Sequence, residues 1–161
     1  VTADLQRFAI RWVGSARFEK TVVVDSTAGM EAMTDRWWKL VWASPCTLMA
    51  LLIGVLALRR GGQIRRVDGV WEIDGPLVCW LLDRLPIANV AAMTVGHAVL
   101  GRSAYWLEQT RLHERVHVRQ FERWGPLFPF VYWAASLWMH CRGRDFYRDN
   151  PFEREAYRIA P

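Results

Sequence analysis

Paired cysteines are missing from this chain. Its three, Cys46, Cys79 and Cys141, form no C-x-x-C motif, and an odd count argues against a disulfide framework. Cys46 and Cys79 sit in apolar runs, where a thiol is a packing residue. His140 and Cys141 are adjacent, and adjacent side chains diverge on a helix, which weakens them as joint metal ligands. No internal repeat or low-complexity segment is present. The net charge of +5 comes without a basic stripe interleaved with aromatics and without a nucleic-acid motif, so no nucleic-acid partner is expected. The arginines cluster beside apolar runs instead, which reads as topogenic or lipid-facing charge.

Tryptophan is plentiful: ten residues in 161, in a chain that is 52% apolar. With Arg clusters beside apolar runs, that composition points to a membrane interface. The length suits one domain with a modest core. Leu40 to Leu58 carries no charge over nineteen residues, long enough to cross the hydrocarbon core as a helix. Trp37, Trp38 and Trp42 stand at its start, where an aromatic belt would lie, and Pro45 falls near that end, where a helix tolerates proline best. Arg59, Arg60, Arg65 and Arg66 follow at once. They form a stop-transfer pattern, and no small-residue cleavage site precedes the run, so a cleaved signal peptide is disfavoured. Against Arg36 and Lys39 on the other flank, the bias is four to two. The positive-inside rule then predicts a single-pass protein of the lipid bilayer with a cytoplasmic C-terminal domain.

Three segments follow from this. Residues 1–36 are weakly patterned, with a short strand expected at Thr21–Val24 and a turn at Asp25-Ser26-Thr27 with Gly29. Met33 is a plausible internal start, which would make 1–32 an appended segment. Residues 37–60 form the anchor and 61–161 the functional domain. Within the latter, Asp68-Gly69 between apolar flanks predicts a tight hairpin. Leu77–Leu85 reads as a short apolar helix, Ala91–Leu100 as one strand, and Ala104–Trp124 as a helix capped by Ser103 and stopped by Gly125-Pro126. Trp124–Cys141 is a second charge-free stretch, read as an interfacial helix over 126–141 because of its Pro, Trp and Tyr content.

The chemistry sits in His113-Glu114-Arg115-Val116-His117, an H-E-x-x-H motif. Residues four apart lie on one helical face, so two imidazoles reach one metal ion. Glu114 between them stands where a general base would hold a water. A bland alternative is a surface helix with two solvated histidines among Arg111, Arg115, Arg119 and Arg123. A catalytic zinc takes a third protein ligand and leaves a position for water. The tail Asn150-Pro151-Phe152-Glu153-Arg154-Glu155 supplies an N-cap, a first-turn proline and two carboxylates about 200° apart on a helix, of which only one can face the ion. A span through 124–141 would hold that tail ~30 Å from the histidines, so this stretch must double back.

With those residues the chain resembles the gluzincins, zinc metallopeptidases in which H-E-x-x-H is completed by a Glu on a later helix, in several members as E-x-x-A-D. Glu153-Arg154-Glu155-Ala156-Tyr157 matches E-x-x-A, with Tyr157 in place of Asp. The resemblance covers roughly Ala91–Ala160 and extends to very small bacterial zincin-like proteins. It implies an α+β, minimal zincin-like domain: short strands, the motif helix and a later Glu-bearing helix. It implies Zn2+ held by His113, His117 and Glu153, with Glu155 as the alternative ligand and Glu114 as catalytic base. It also implies a peptide or protein substrate paired to an edge strand just before the motif helix. His97 within that strand, Tyr157 and Tyr147 are candidates to contact substrate or polarise its carbonyl. A competing expectation is a non-catalytic zinc-binding membrane protein whose site is closed by a fourth ligand, from Glu155, His140 or Cys141. A more distant one is an interfacial lipid-binding protein that needs no metal.

Overall fold

The computed structural model describes residues 26–87 and 89–160. Segment 1–25, with the strand expected at Thr21–Val24, lies outside the described residues. The chain is mixed α+β around one four-stranded sheet. In order it runs α1 (Ser26–Leu58), β1 (Gln63–Val67), β2 (Val70–Asp74), α2 (Pro76–Leu82), β3 (Ala92–Val95), β4 (Ala98–Gly101), α3 (Ala104–Trp124), a 3-10 turn (Gly125–Leu127), α4 (Phe128–Cys141) and α5 (Pro151–Ile159).

The sheet order is β1-β2-β4-β3. β1 and β2 pair antiparallel through Asp68 and Gly69, both with positive φ (48° and 82°), as a tight hairpin turn requires. β2 pairs parallel with β4, and β4 antiparallel with β3, which leaves β3 at an edge. Alternation along the strands splits the core into two layers. Ile73, Val95, Ala98 and Leu100 pack with Cys46, Ala50 and Ala57 of α1 and with Val78 and Leu82 of α2. Val70, Ala92 and Val99 pack with Leu107 and Val118 of α3. The sheet therefore lies between α1 with α2 on one face and α3 on the other.

Three expectations change here. Ala91–Leu100 is not one strand but a hairpin, with Gly96 (φ 66°) and His97 in its turn. The left-handed glycine reverses the chain. Lacking a Cβ, it also lets the turn press against Thr47 and the Ala43 carbonyl of α1. The strand that precedes the motif helix in the chain is consequently the internal β4, while β3 lies at an edge of the sheet. The turn expected at Asp25–Gly29 gives way from Ser26 onward to the first residues of α1; Ala28, Met30, Glu31, Ala32 and Met33 are good helix formers that outweigh Gly29. Pro45 is then an interior helix position. Its ring removes the N–H that would bond the Val41 carbonyl, and the Ser44 hydroxyl donates to that carbonyl at 2.7 Å instead.

Among the described residues, α1 alone is long and apolar enough to cross a membrane, over Val41–Leu58. It does not stand apart from the rest. Ala43, Cys46, Ala50 and Ala57 are buried at helical spacing. Gly54 faces Ile64 and Ile73, and Gly125 packs directly on the Trp42 indole. Val41, Leu48, Leu52 and Val55 on the other side are exposed.

Candidate metal centre

Two helices bring the site together. Ser103 caps α3, its hydroxyl accepting from the Trp106 N–H at 3.4 Å. Asn150 caps α5, its side-chain oxygen accepting from the Phe152 N–H at 2.9 Å, with Pro151 in the first turn. These are the caps the sequence predicts. Asn150 does a second job. Its fully buried amide nitrogen donates to the Tyr132 carbonyl at 3.1 Å and to Ser136 Oγ at 2.7 Å, both on α4. The residue that starts α5 thus pins it to α4, and α5 is turned back onto α3.

Glu153 arrives over the two imidazoles. Its Oε2 lies 3.3 Å from His113 Nε2, its Oε1 3.3 Å from His117 Nε2, and the two ring nitrogens are 3.2 Å apart. The three potential ligand atoms lie within 4.8 Å of one another, so the group can hold a metal ion. Glu153 is only 3% exposed. The Tyr132 hydroxyl donates to Oε1 at 2.7 Å, whereas Oε2 is buried with no hydrogen-bond partner. A buried carboxylate oxygen without a donor is costly unless a cation meets it. Two imidazole nitrogens and a carboxylate are also a donor set suited to a first-row divalent ion.

Glu153 and His117 shift each other in opposite directions. Burial pushes the Glu153 carboxyl up, but the His113 and His117 rings beside it outweigh that and hold the group well below the usual range. Burial likewise pulls His117 down, yet the bond to Glu153 and the charges of Glu114 and Glu153 raise it to about 9. Tyr132 and Tyr147 are both pushed far up, by burial first and the Glu153 charge second, and stay protonated donors.

Around the cluster, Glu155 does not join the three. Its Oε2 accepts from the Gln120 amide nitrogen at 2.9 Å, and that nitrogen also donates to the Phe152 carbonyl at 3.1 Å. With the nitrogen so engaged, Gln120 Oε1 faces His117 Nδ1 at 2.8 Å. An oxygen can only accept there, so Nδ1 always carries a proton, and Nε2 is the nitrogen that gives up its own when a metal binds. Tyr157, in the position of the missing Asp, lays its ring 4.6 Å from the His113 ring (centroid to centroid) and is partly exposed.

Glu114 is buried on the sheet side of α3, and its Oε2 accepts from Thr94 Oγ1 of edge strand β3 at 2.6 Å. His97 is placed elsewhere. Its Nε2 pairs with Glu122 Oε1 at 3.1 Å and its backbone N–H donates to Thr47 Oγ1 at 2.9 Å, so it ties the β3–β4 turn to α3 and α1. His140 and Cys141 lie exposed at the end of α4. Among the described residues, no fourth His, Cys, Asp or Glu belongs to the cluster.

Gln120, Thr94 and Tyr132 are participants that motif reading passes over. Gln120 is three residues beyond His117, on the same helical side, so its spacing is a usable signal. Thr94 and Tyr132 reach the site from another strand and another helix, and nothing local in the sequence marks them. Comparison with protein-family models, with curated proteins and with solved structures finds no match.

Proposed function

We propose that this chain is a membrane-associated zinc metallopeptidase on a minimal zincin-like domain, of the gluzincin type. The observation that carries the reading is the meeting of Glu153 with both motif imidazoles around an oxygen that lacks a donor. His113, His117 and Glu153 are the residues that would hold zinc. Bound there, the ion supplies a Lewis acid that polarises a peptide carbonyl and acidifies water. Glu114, kept in place by Thr94, accepts the water proton and returns it to the leaving amine. Gln120 holds His117 in the ligating tautomer. Tyr157, half exposed beside His113, is the phenol that would contact a substrate carbonyl. Edge strand β3, which carries Thr94, is the strand to which an extended peptide would pair.

The absence of a fourth ligand among the described residues favours this reading over a closed structural site. The decisive experiment pairs two variants. Glu114→Gln should abolish peptide hydrolysis with zinc content unchanged by plasma mass spectrometry, and His113→Ala should lose the zinc. Wild-type hydrolysis by Glu114→Gln would remove the catalytic assignment; full zinc content in His113→Ala would remove the ligand assignment.

For location, the exposed apolar side of α1 and the arginines after it support a membrane helix with the following domain on the cytoplasmic side. The inner side of α1 packs on the sheet and on the 3-10 turn from Trp42 to Ala57. That packed side is closed to lipid, so the exposed side with Val41, Leu48, Leu52 and Val55 is the part of α1 that would meet the membrane.

A further inference from the structure

The outer side of α4 is unlike an ordinary protein surface. Phe130, Trp133, Leu137 and Trp138 are 73%, 45%, 58% and 55% exposed. With Ala134, His140 and Cys141, also exposed, they form a continuous stripe at helical spacing that contains no Asp, Glu, Lys or Arg. A soluble surface rarely leaves so large an apolar patch open. At fourteen residues, roughly 21 Å by helical rise, α4 is too short to span a bilayer.

We propose that this face of α4 docks into the headgroup layer of an anionic lipid leaflet. Three observations select lipid. Charge is missing from the stripe but returns at its C-terminal end, where Arg142 and Arg144 are exposed and the Arg142 guanidinium lies 4.3 Å from the centre of the Trp138 ring. An indole under a guanidinium, at the end of an apolar stripe, suits the layer where acyl chains meet phosphates. The same pairing recurs on α2, where the Arg84 guanidinium lies 3.6 Å over the half-exposed Trp80 ring. And α1, packed into the same domain, brings its own exposed apolar face.

Docking this face has a geometric consequence for the metal centre. The inner side of α4 carries Tyr132, whose hydroxyl holds Glu153. The cluster therefore lies about one helix diameter, ~10 Å, from the lipid-facing side. A polypeptide reaching it would come from the membrane surface; that consequence alone rests on the peptidase reading, and the lipid contact does not.

Cys141 provides the probe, since it lies at the end of the stripe and is the exposed one of the three thiols. The full chain, labelled there with bimane, is reconstituted into vesicles of phosphatidylcholine with or without phosphatidylglycerol. In the anionic vesicles the label should shift to the blue, be quenched by shallow doxyl-lipid and resist aqueous iodide. Each arginine removed should lower the ratio of docked to undocked label about fivefold, so that Arg142→Gln with Arg144→Gln lowers it about twenty-fivefold. A label open to iodide in both vesicle types overturns the proposal. So does crosslinking of unlabelled Cys141 thiols by a bis-maleimide that grows with protein density, because a second copy would then cover the face. Zinc content and hydrolysis measured on the same samples report on the peptidase reading independently.

Discussion

Gln120 Oε1 faces His117 Nδ1 at 2.8 Å, and it can face no other way while its nitrogen is bonded to Phe152 O and Glu155. One amide therefore sets the tautomer of one ligand. Replacing Gln120 with Leu keeps the volume and removes the acceptor. Zinc affinity, measured by competition with a chromophoric chelator, should fall about 10- to 100-fold, the usual cost of losing a group that orients a ligand. Glu155→Gln keeps a side-chain oxygen toward Gln120 and should cost far less. Equal losses in the two variants would show that Glu155 itself ligates.

Thr94 holds the Glu114 carboxylate at 2.6 Å. Thr94→Val leaves a buried acceptor without that donor, at about 1–3 kcal/mol. The expected outcome is a thermal midpoint lowered by several degrees and hydrolysis slowed about tenfold or more, with zinc content unchanged by mass spectrometry. Loss of zinc in this variant would place Thr94 among the ligand supports instead.

The metal-free protein should be sensitive to pH in two windows. His117 is held at about 9 against 6.5 in the unfolded chain. Its contribution is complete below pH 6.5 and is lost as the pH rises through about 9. Glu153 is held down, so its contribution is present above 4.5 and is lost as the pH falls toward its native value. Both shifts describe the same contact and are not to be added. Urea denaturation of the metal-free chain at a series of pH values should show this decline on both sides. Zinc must displace the His117 proton, so apparent affinity should rise about tenfold per pH unit between 6.5 and 9. A flat affinity over that range would contradict the imidazolium.

Gly96 and Gly125 test whether α1 belongs to the domain. Both have positive φ (66° and 56°). A Cβ at Gly96 would meet Thr47 N at 2.6 Å and the Ala43 carbonyl at 3.0 Å, and one at Gly125 would enter the Trp42 indole. Gly96→Ala and Gly125→Ala should each destabilise by about 1–3 kcal/mol through strain and overpacking, seen as a lower thermal midpoint. Gly61→Ala, also at positive φ (79°) but with open space around it, is the control for backbone strain alone. If all three lose the same stability, α1 does not pack on these turns.

Much of this was readable in the chain. Local signals placed the Asp68-Gly69 hairpin, the Ser103 cap and the 104–124 helix, and the Asn150-Pro151 start of α5, because each depends on residues within one turn. Helical spacing put His113 and His117 on one face, and the Glu153 match selected the acid that the fold brings to them. The run at 91–100 carries two strands instead of one. A glycine inside an apolar run does not reveal its φ, and here Gly96 reverses the chain because α1 lies against it.

The amino-acid order alone determined the two imidazoles, the apolar run before the arginines and the breaks that end each helix, all matters of short-range geometry and hydropathy. Only the tertiary structure decided that Glu153 is a partner of both rings while Glu155 steadies Gln120, that Thr94 holds Glu114, and that α1 is a wall of the core. Those relationships join residues tens of positions apart. The path between them is set by buried packing, such as Asn150 locking α5 to α4, and no local pattern encodes that.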